Sequence, residues 1–343
     1  MVCLVWLAVY TAELRNATRP RKFLTLFALV CTLLFICHAW FFLGDEQEFS
    51  VPDALYLFCN LSVYPLFYTY VKILTQDEPF RGRVFLMLLP GLVIAVAAYF
   101  TGGNRIVLGI GRVVFAIEVV LLAFFGLRDL ARFDREVQNY YSDVEGKTLQ
   151  STRELLITFV LISLFSLTAN VIGREYFLHS LLLGVPSVIF SWMLFCIFHM
   201  SMKIGFYARD FKAEKQKDDA DEGEYPEFGD TVLESKIAAL MDEQKLYLRP
   251  GLKITDVAVA VGSNRTYVSN AINNVAGVSF AEYVNERRIE YAKARLSEGV
   301  HGDEKSISAV ASESGFASLP SFYRAFMKYV GESPSSWLKG LKG

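Results

Sequence analysis

Six stretches of this chain, residues 23–43, 51–74, 84–100, 106–127, 155–172 and 179–200, reach or approach the ~20 apolar residues that a helix needs to cross a bilayer. No other feature constrains the fold as strongly. In hydrocarbon every backbone N–H and C=O must be satisfied within the structure, and a helix does so inside its own segment. A seventh stretch, 1–12, is apolar but short, and it lacks the basic residues that open a secretory signal. The expected architecture of residues 1–202 is therefore an all-α bundle of six or seven transmembrane helices. The chain has two characters. Of its 343 residues 53% are hydrophobic and its mean hydropathy is +0.33, but the apolar excess ends near Met202.

The loops give an orientation. Arg15, Arg19, Arg21 and Lys22 precede the first long run, and the next loop holds Asp45, Glu46 and Glu48 with no basic residue. Lys72, Arg81 and Arg83 flank the following loop. Arg128, Arg132, Arg135, Lys147 and Arg153 lie in the longest one, and Lys203, Arg209, Lys212, Lys215 and Lys217 follow the last run. Basic residues thus recur on every second loop, and the positive-inside rule places those loops, with the C-terminal part, in the cytoplasm. The expected location is a bacterial inner membrane crossed several times.

Within the runs a few polar side chains stand out. Glu118 lies near the middle of one with Arg112 earlier in it, and His38, Asn60, Asn170 and His199 lie in others. Ionisable groups in a bilayer are costly and often mark function. Interhelical hydrogen bonding accounts for such residues as well. Glu118 and Arg112 are the candidates for coupling a signal. Cys3, Cys31, Cys37, Cys59 and Cys196 all fall in apolar runs, which fits neither a disulfide framework nor a zinc site. No metal, cofactor or catalytic set is expected anywhere in the chain.

The polar loop RFDREVQNYYSDVEGKTLQSTRE reads as an exposed helix and turn, since its GKT lacks the glycine of a phosphate loop. Residues 203–229 read as a charged linker, basic first and then acidic from Asp218 through Asp219, Asp221 and Glu222 to Glu224, a pattern that is commonly solvated.

From residue 230 short amphipathic helices and breakers take over, and two segments share one plan: ITDVAVAVGSNRTYVSNAINNVAG and ISAVASESGFASLPSFYRAFMKYVG. In each, an alanine is followed four residues later by a glycine, Ala258 with Gly262 and Ala311 with Gly315. Such pairs let two helices cross closely through a short turn. A second helix follows, with Val268 and Ile272, or Phe322 and Phe326, on its apolar face. Ser263 or Asn264 can cap the first of these helices, and Ser318 the second ahead of Pro320. The opposite faces carry side chains suited to phosphates and base edges: Ser263, Asn264, Arg265, Thr266, Tyr267, Ser269 and Asn270, then Ser318, Leu319, Ser321, Arg324 and Lys328. Between the units SFAEYVNERRIEYAKARLSEG forms one long helix with Tyr283, Ile289, Ala292 and Leu296 on one face.

Two units at this spacing, with SFAEYVNERRIEYAKARL, ISAVASESGF and SFYRAFMKYVGESPSSW, resemble the DNA-binding domain of AraC/XylS-family transcription regulators. With YYSDVEGKTLQ in the last large loop, the layout resembles membrane-anchored members found in Bacteroidetes. The resemblance implies a seven-helix domain over 230–343 with reading helices at 264–274 and 319–329. Arg287 and Arg288 would then lie in a helix that sets geometry. Pro320 departs from the polar residue frequent there and removes a backbone donor. From 227 to 343 the chain holds 14 basic and 14 acidic residues, so any positive surface must come from their distribution.

The reading is a membrane-bound one-component regulator, not an enzyme. Its expected partners are double-stranded promoter DNA, RNA polymerase, membrane lipid, a second copy of the chain on DNA, and a signal of unknown chemistry. A transporter or membrane enzyme with a regulatory tail, and a passively anchored regulator, are the alternatives.

Overall fold

The computed structural model describes residues 2–13, 18–43, 49–76, 83–172, 184–204, 206–220, 228–300 and 306–342. Its elements are helical throughout the described residues, where one isolated antiparallel bridge is also found. The chain divides into two compact units, Met1–Phe133 with Leu149–Asp210, and Asp134–Thr148 with Phe211–Gly343.

The first unit is built from α1 (Val2–Glu13), α2 (Arg19–Leu43), α3 (Val51–Gln76), α4 (Arg83–Met87), α5 (Leu89–Phe100), most of α6 (Arg105–Gln138), α7 (Gln150–Ile172) and α8 (Gly184–Lys203). Four helices among the described residues are long and apolar enough to cross a membrane: 19–40, 51–76, 105–138 and 150–168. That is fewer than the six or seven expected. The run at 84–100 breaks at Leu88 into α4 and α5, because Pro90 in the first turn of α5 has no N–H to return to the preceding turn. The last run is described only from Gly184, and the start expected at 179 lies outside the described residues, as does the acidic loop 44–48.

α3 packs against α2 and α5 and is buried along most of its length. Aromatic rings lock this part of the unit: Tyr64 meets Phe115 edge-on at 4.9 Å and stacks on Phe159 at 5.1 Å. Glycines allow close approach where a methyl group would not fit. At Gly126 an added Cβ would lie 2.8 Å from Leu156 Cδ2. On α6, Ile106, Ile110, Val113, Ile117, Val120 and Phe124 form an exposed apolar column, while Phe115, Val119 and Leu122 point inward. Glu118 on this helix has a buried carboxylate oxygen, Oε2, with no hydrogen-bond partner. Arg112 does not join it. Six residues apart on a helix is about 120° around the axis, and Arg112 is exposed.

The second unit contains residues 134–148, which are the end of α6 and the loop after it, α9 (Ala208–Ala220) from Phe211 onward, and, among the described residues, seven further α-helices: α10 (Asp230–Gln244), α11 (Ile254–Val261), α12 (Arg265–Ala271), α13 (Phe280–Val300), α14 (Ile307–Glu313), α15 (Leu319–Val330) and α16 (Pro334–Lys342). Two sequence expectations change here. The expected helix and turn are present, since α6 runs on to Gln138 and turns follow, but the stretch is not exposed: Tyr140, Tyr141 and Ser142 are buried. The expected solvated linker forms α9 and buries Phe211 against Tyr140 with ring centroids 5.4 Å apart. The rest of the acidic run, 221–224, lies outside the described residues.

α13 is the axis of this unit. α14, α15 and α16 pack on it around Ile289, Ala292, Leu296, Val310, Phe316, Phe322 and Phe326, with Trp337 closing the cluster. Leu233, Ile237 and Met241 of α10 are buried, as are Val257, Val268 and Ile272, and α10 packs against α11 and α12.

Candidate nucleic-acid interface

Each helix pair is set by the same backbone turn. After α11 the Ser263 N–H donates to Ala258 O at 2.9 Å, and Gly262 takes φ +67°. After α14 the Phe316 N–H donates to Ala311 O at 3.2 Å, and Gly315 takes φ +82°. In both, an amide reaching five residues back closes the helix end through a left-handed residue, which only glycine adopts without strain. This is the physical content of the repeated alanine–glycine spacing.

The next helix of each pair is capped as its sequence allows. Asn264 Oδ1 accepts from the Tyr267 N–H at 2.8 Å, and Ser318 Oγ accepts from the Ser321 N–H at 3.2 Å. Ser263, the alternative cap, is buried, so it has no place on the outward face. α12 exposes Thr266 and Asn270, with Arg265, Tyr267 and Ser269 half-buried beside them. Its regular winding ends at Ala271 and a wider turn follows over Ile272–Ala276, so the expected reading helix 264–274 is regular only in its first part. α15 exposes Leu319, Arg324 and Lys328, while Ser318 and Ser321 are half-buried.

The second face carries acids as well as bases. Lys328 Nζ donates to Glu282 Oε1 of α13 at 2.6 Å, and the Tyr329 hydroxyl donates to Glu282 O at 3.2 Å. The Lys328 contact, then the Ser279 amide, holds the Glu282 carboxyl down at about 2. Its folded value lies below the unfolded ~4.3, so the stability it contributes is present above that unfolded value and is lost as the pH falls toward 2. Acid titration of stability should therefore flatten in a Glu282→Gln variant, which amide exchange in α15 between pH 5 and pH 2 would show.

Arg324 Nη2 lies 3.0 Å from Glu145 Oε1, and the Ser318 hydroxyl donates to Glu145 Oε2. Sequence reasoning did not find Glu145, which comes from the loop between α6 and α7. The loop is anchored by an antiparallel bridge between Tyr141 and Lys253, with Ser142 N donating to Leu252 O and Ile254 N to Tyr140 O, both at 3.0 Å. The Tyr141 hydroxyl donates to Glu214 at 2.5 Å and that of Tyr140 to Asp218, and both carboxylates also pair with Lys253. Arg288 is fully buried. It donates to Tyr247 O at 2.6 Å, Arg249 O at 2.8 Å, Ser142 Oγ at 3.3 Å and Asn285 Oδ1 at 3.3 Å. Burial lowers its pKa to about 10, which leaves it charged at neutral pH. The one clue to the loop in the sequence was its pair of adjacent tyrosines in an otherwise polar stretch.

Residues 257–340 match the family model described as a helix-turn-helix domain. The C-terminal region carries a helix-turn-helix domain. Over 88 residues it is 36% identical to the melibiose operon regulatory protein of Escherichia coli K12, covering 26% of this chain and 28% of that one. Over 104 residues it is 28% identical to an uncharacterized HTH-type transcriptional regulator of Staphylococcus aureus, covering 30% of this chain and 13% of the relative. The chain thus spans less than a third of the length of these curated relatives. A solved structure of a protein of unknown function from Listeria innocua aligns at 22% identity with a TM-score of 0.27, covering 32% of this chain and 95% of that one. Of the four residues expected in the turns, Gly262 and Gly315 lie there, whereas Ala258 and Ala311 sit inside α11 and α14 and lend the turn only their carbonyls; α12 and α15 are the second helix of each unit.

Proposed function

We propose that the protein is a membrane-bound transcription regulator that senses a signal through its apolar bundle and reads promoter DNA with α12 and α15. The observation that carries this reading is the presence, in one chain, of two helix-turn-helix units and four helices long enough to cross a bilayer. The exposed apolar column on α6 supports burial in lipid, since a patch of that kind is rare on a protein surrounded by water. The bundle has six or seven spans in this reading, α4–α5 and α8 included. The alternating basic loops put the AraC-type domain on the cytoplasmic side of a bacterial inner membrane. Glu118, whose Oε2 lacks a partner, is the residue through which packing of the bundle responds to the signal.

On DNA, Arg265, Thr266, Tyr267, Ser269 and Asn270 form one contact set, and Ser318, Leu319, Ser321, Arg324 and Lys328 the other, with Asn264 acting through its cap. The near-neutral charge of the domain limits non-specific affinity, which favours binding as a homodimer to paired half-sites, next to RNA polymerase. Genome-wide DNA crosslinking of the full-length chain tests this. Discrete promoter peaks are expected for the wild type. They should vanish in an Arg265→Ala, Arg324→Ala variant, because each lost contact costs about 1–3 kcal/mol. Peaks that persist in that variant would remove these helices from DNA reading.

A further inference from the structure

The second unit contains its own candidate ligand for the reading face. Glu145 places one carboxylate oxygen on the Ser318 hydroxyl and the other 3.0 Å from the Arg324 guanidinium, at the N-terminus of α15. The Ser318 hydroxyl and the Arg324 guanidinium fork, at the positive end of α15, are the donors that a DNA phosphate would meet there. The carboxylate is an acidic acceptor of the same kind. We propose that residues 139–148 are an internal competitor of DNA, with Glu145 filling the phosphate site of the second helix-turn-helix unit until the loop tip is withdrawn.

The rest of the loop makes this placement specific. Tyr140, Tyr141 and Ser142 are buried and tied by backbone bonds to Leu252 and Ile254 and by side-chain bonds to Arg288 and Asn285. Beyond that anchor Lys147 Nζ lies 3.8 Å from the Tyr141 ring centroid, and Gly146 turns the chain with φ +70°. Glu145 itself is exposed, so the tip can leave while the anchor stays in place. The hydrogen bond from Ser318, then Arg324, keeps the Glu145 carboxyl below its usual range, so it is ionised under physiological conditions. The loop joins α6 to α7, two of the four apolar helices long enough to span, so a rearrangement of those helices acts directly on both ends of the competitor.

This inference rests on the reading that α15 meets DNA, and the test separates the two. The full-length protein in nanodiscs is titrated against a fluorescein-labelled random-sequence duplex, read by anisotropy. Glu145→Gln is expected to bind about two- to fivefold tighter than wild type, the range for freeing one partly exposed ion pair. Arg324→Ala is expected to bind more weakly, and the gain from Glu145→Gln should shrink when the two changes are combined. Equal affinities for wild type and Glu145→Gln, with Arg324→Ala still weaker, would overturn the competitor and leave DNA reading intact. A gain of equal size with and without Arg324 would also overturn it, since that is bulk charge repulsion. If neither substitution changes affinity, α15 does not read DNA and both readings fall.

Discussion

Replacing Arg288 by alanine is expected to destabilise the C-terminal unit by about 3–5 kcal/mol, a large share of the 5–15 kcal/mol typical of a domain. The guanidinium is fully buried and donates to two backbone carbonyls, Tyr247 O and Arg249 O, and to Ser142 and Asn285. Its removal leaves buried acceptors unpaired at about 1–3 kcal/mol each and opens a cavity beside Phe316, whose ring centroid lies 5.5 Å away. Lysine should recover only part of the loss, because a single ammonium cannot span acceptors arranged for a planar fork. Urea-dependent pulse proteolysis of the full chain, following fragments from α10 to α16, measures this. A loss below about 1 kcal/mol would mean that water satisfies those carbonyls as well as arginine does.

Gly315→Ala is expected to cost nearly as much, about 3–4 kcal/mol, whereas Gly262→Ala should cost only about 1 kcal/mol. Both residues have positive φ, +82° and +67°, so the strain of a left-handed alanine is common to them. They differ in what surrounds them. At Gly262 an added Cβ meets nothing within 4 Å, but at Gly315 it would lie 2.6 Å from Leu248 O and 2.8 Å from Tyr247 O. Those atoms are backbone and cannot swing aside. They also belong to the short turn that Arg288 holds, so Arg288→Ala and Gly315→Ala together should cost less than their sum. The same urea titration tests the pair. Equal losses at the two glycines would show that conformational strain alone, without the contact at Leu248, sets the cost.

The helix-turn-helix plan was legible because its causes are local. The Ala258–Gly262 and Ala311–Gly315 spacings, the caps at Asn264 and Ser318, and the apolar faces of α12 and α15 each follow from a few neighbouring residues. Tyr283, Ile289, Ala292 and Leu296 lie on the buried face of α13, as the periodicity expects. The misreadings have long-range causes. Nothing near Ser142 in the chain signals that Arg288, 146 residues away, will bond to it. Asp218 reads as part of a solvated acidic run until Lys253 and Tyr140 are seen beside it. Ser263 looks like a cap by type, but the turn leaves that role to Asn264 and buries it. In the apolar half, hydropathy marks the runs, but Pro90 divides one of them, a local signal that a hydropathy count passes over.

The second unit is assembled from two separated pieces of chain, and this bears on how it can be made and cut. A fragment beginning at α10 would lack residues 134–148 and α9, leaving Arg288 without Ser142 and Lys253 without Glu214. Such a fragment is an incomplete domain, because one of its parts lies in the chain between α6 and α7. During synthesis that loop emerges long before α13, so the domain is finished only after α7 and α8 have been made and the chain has come back to it. A protease that severed the chain between α8 and α10 would leave residues 134–148 on the other piece, so it would not release a complete domain.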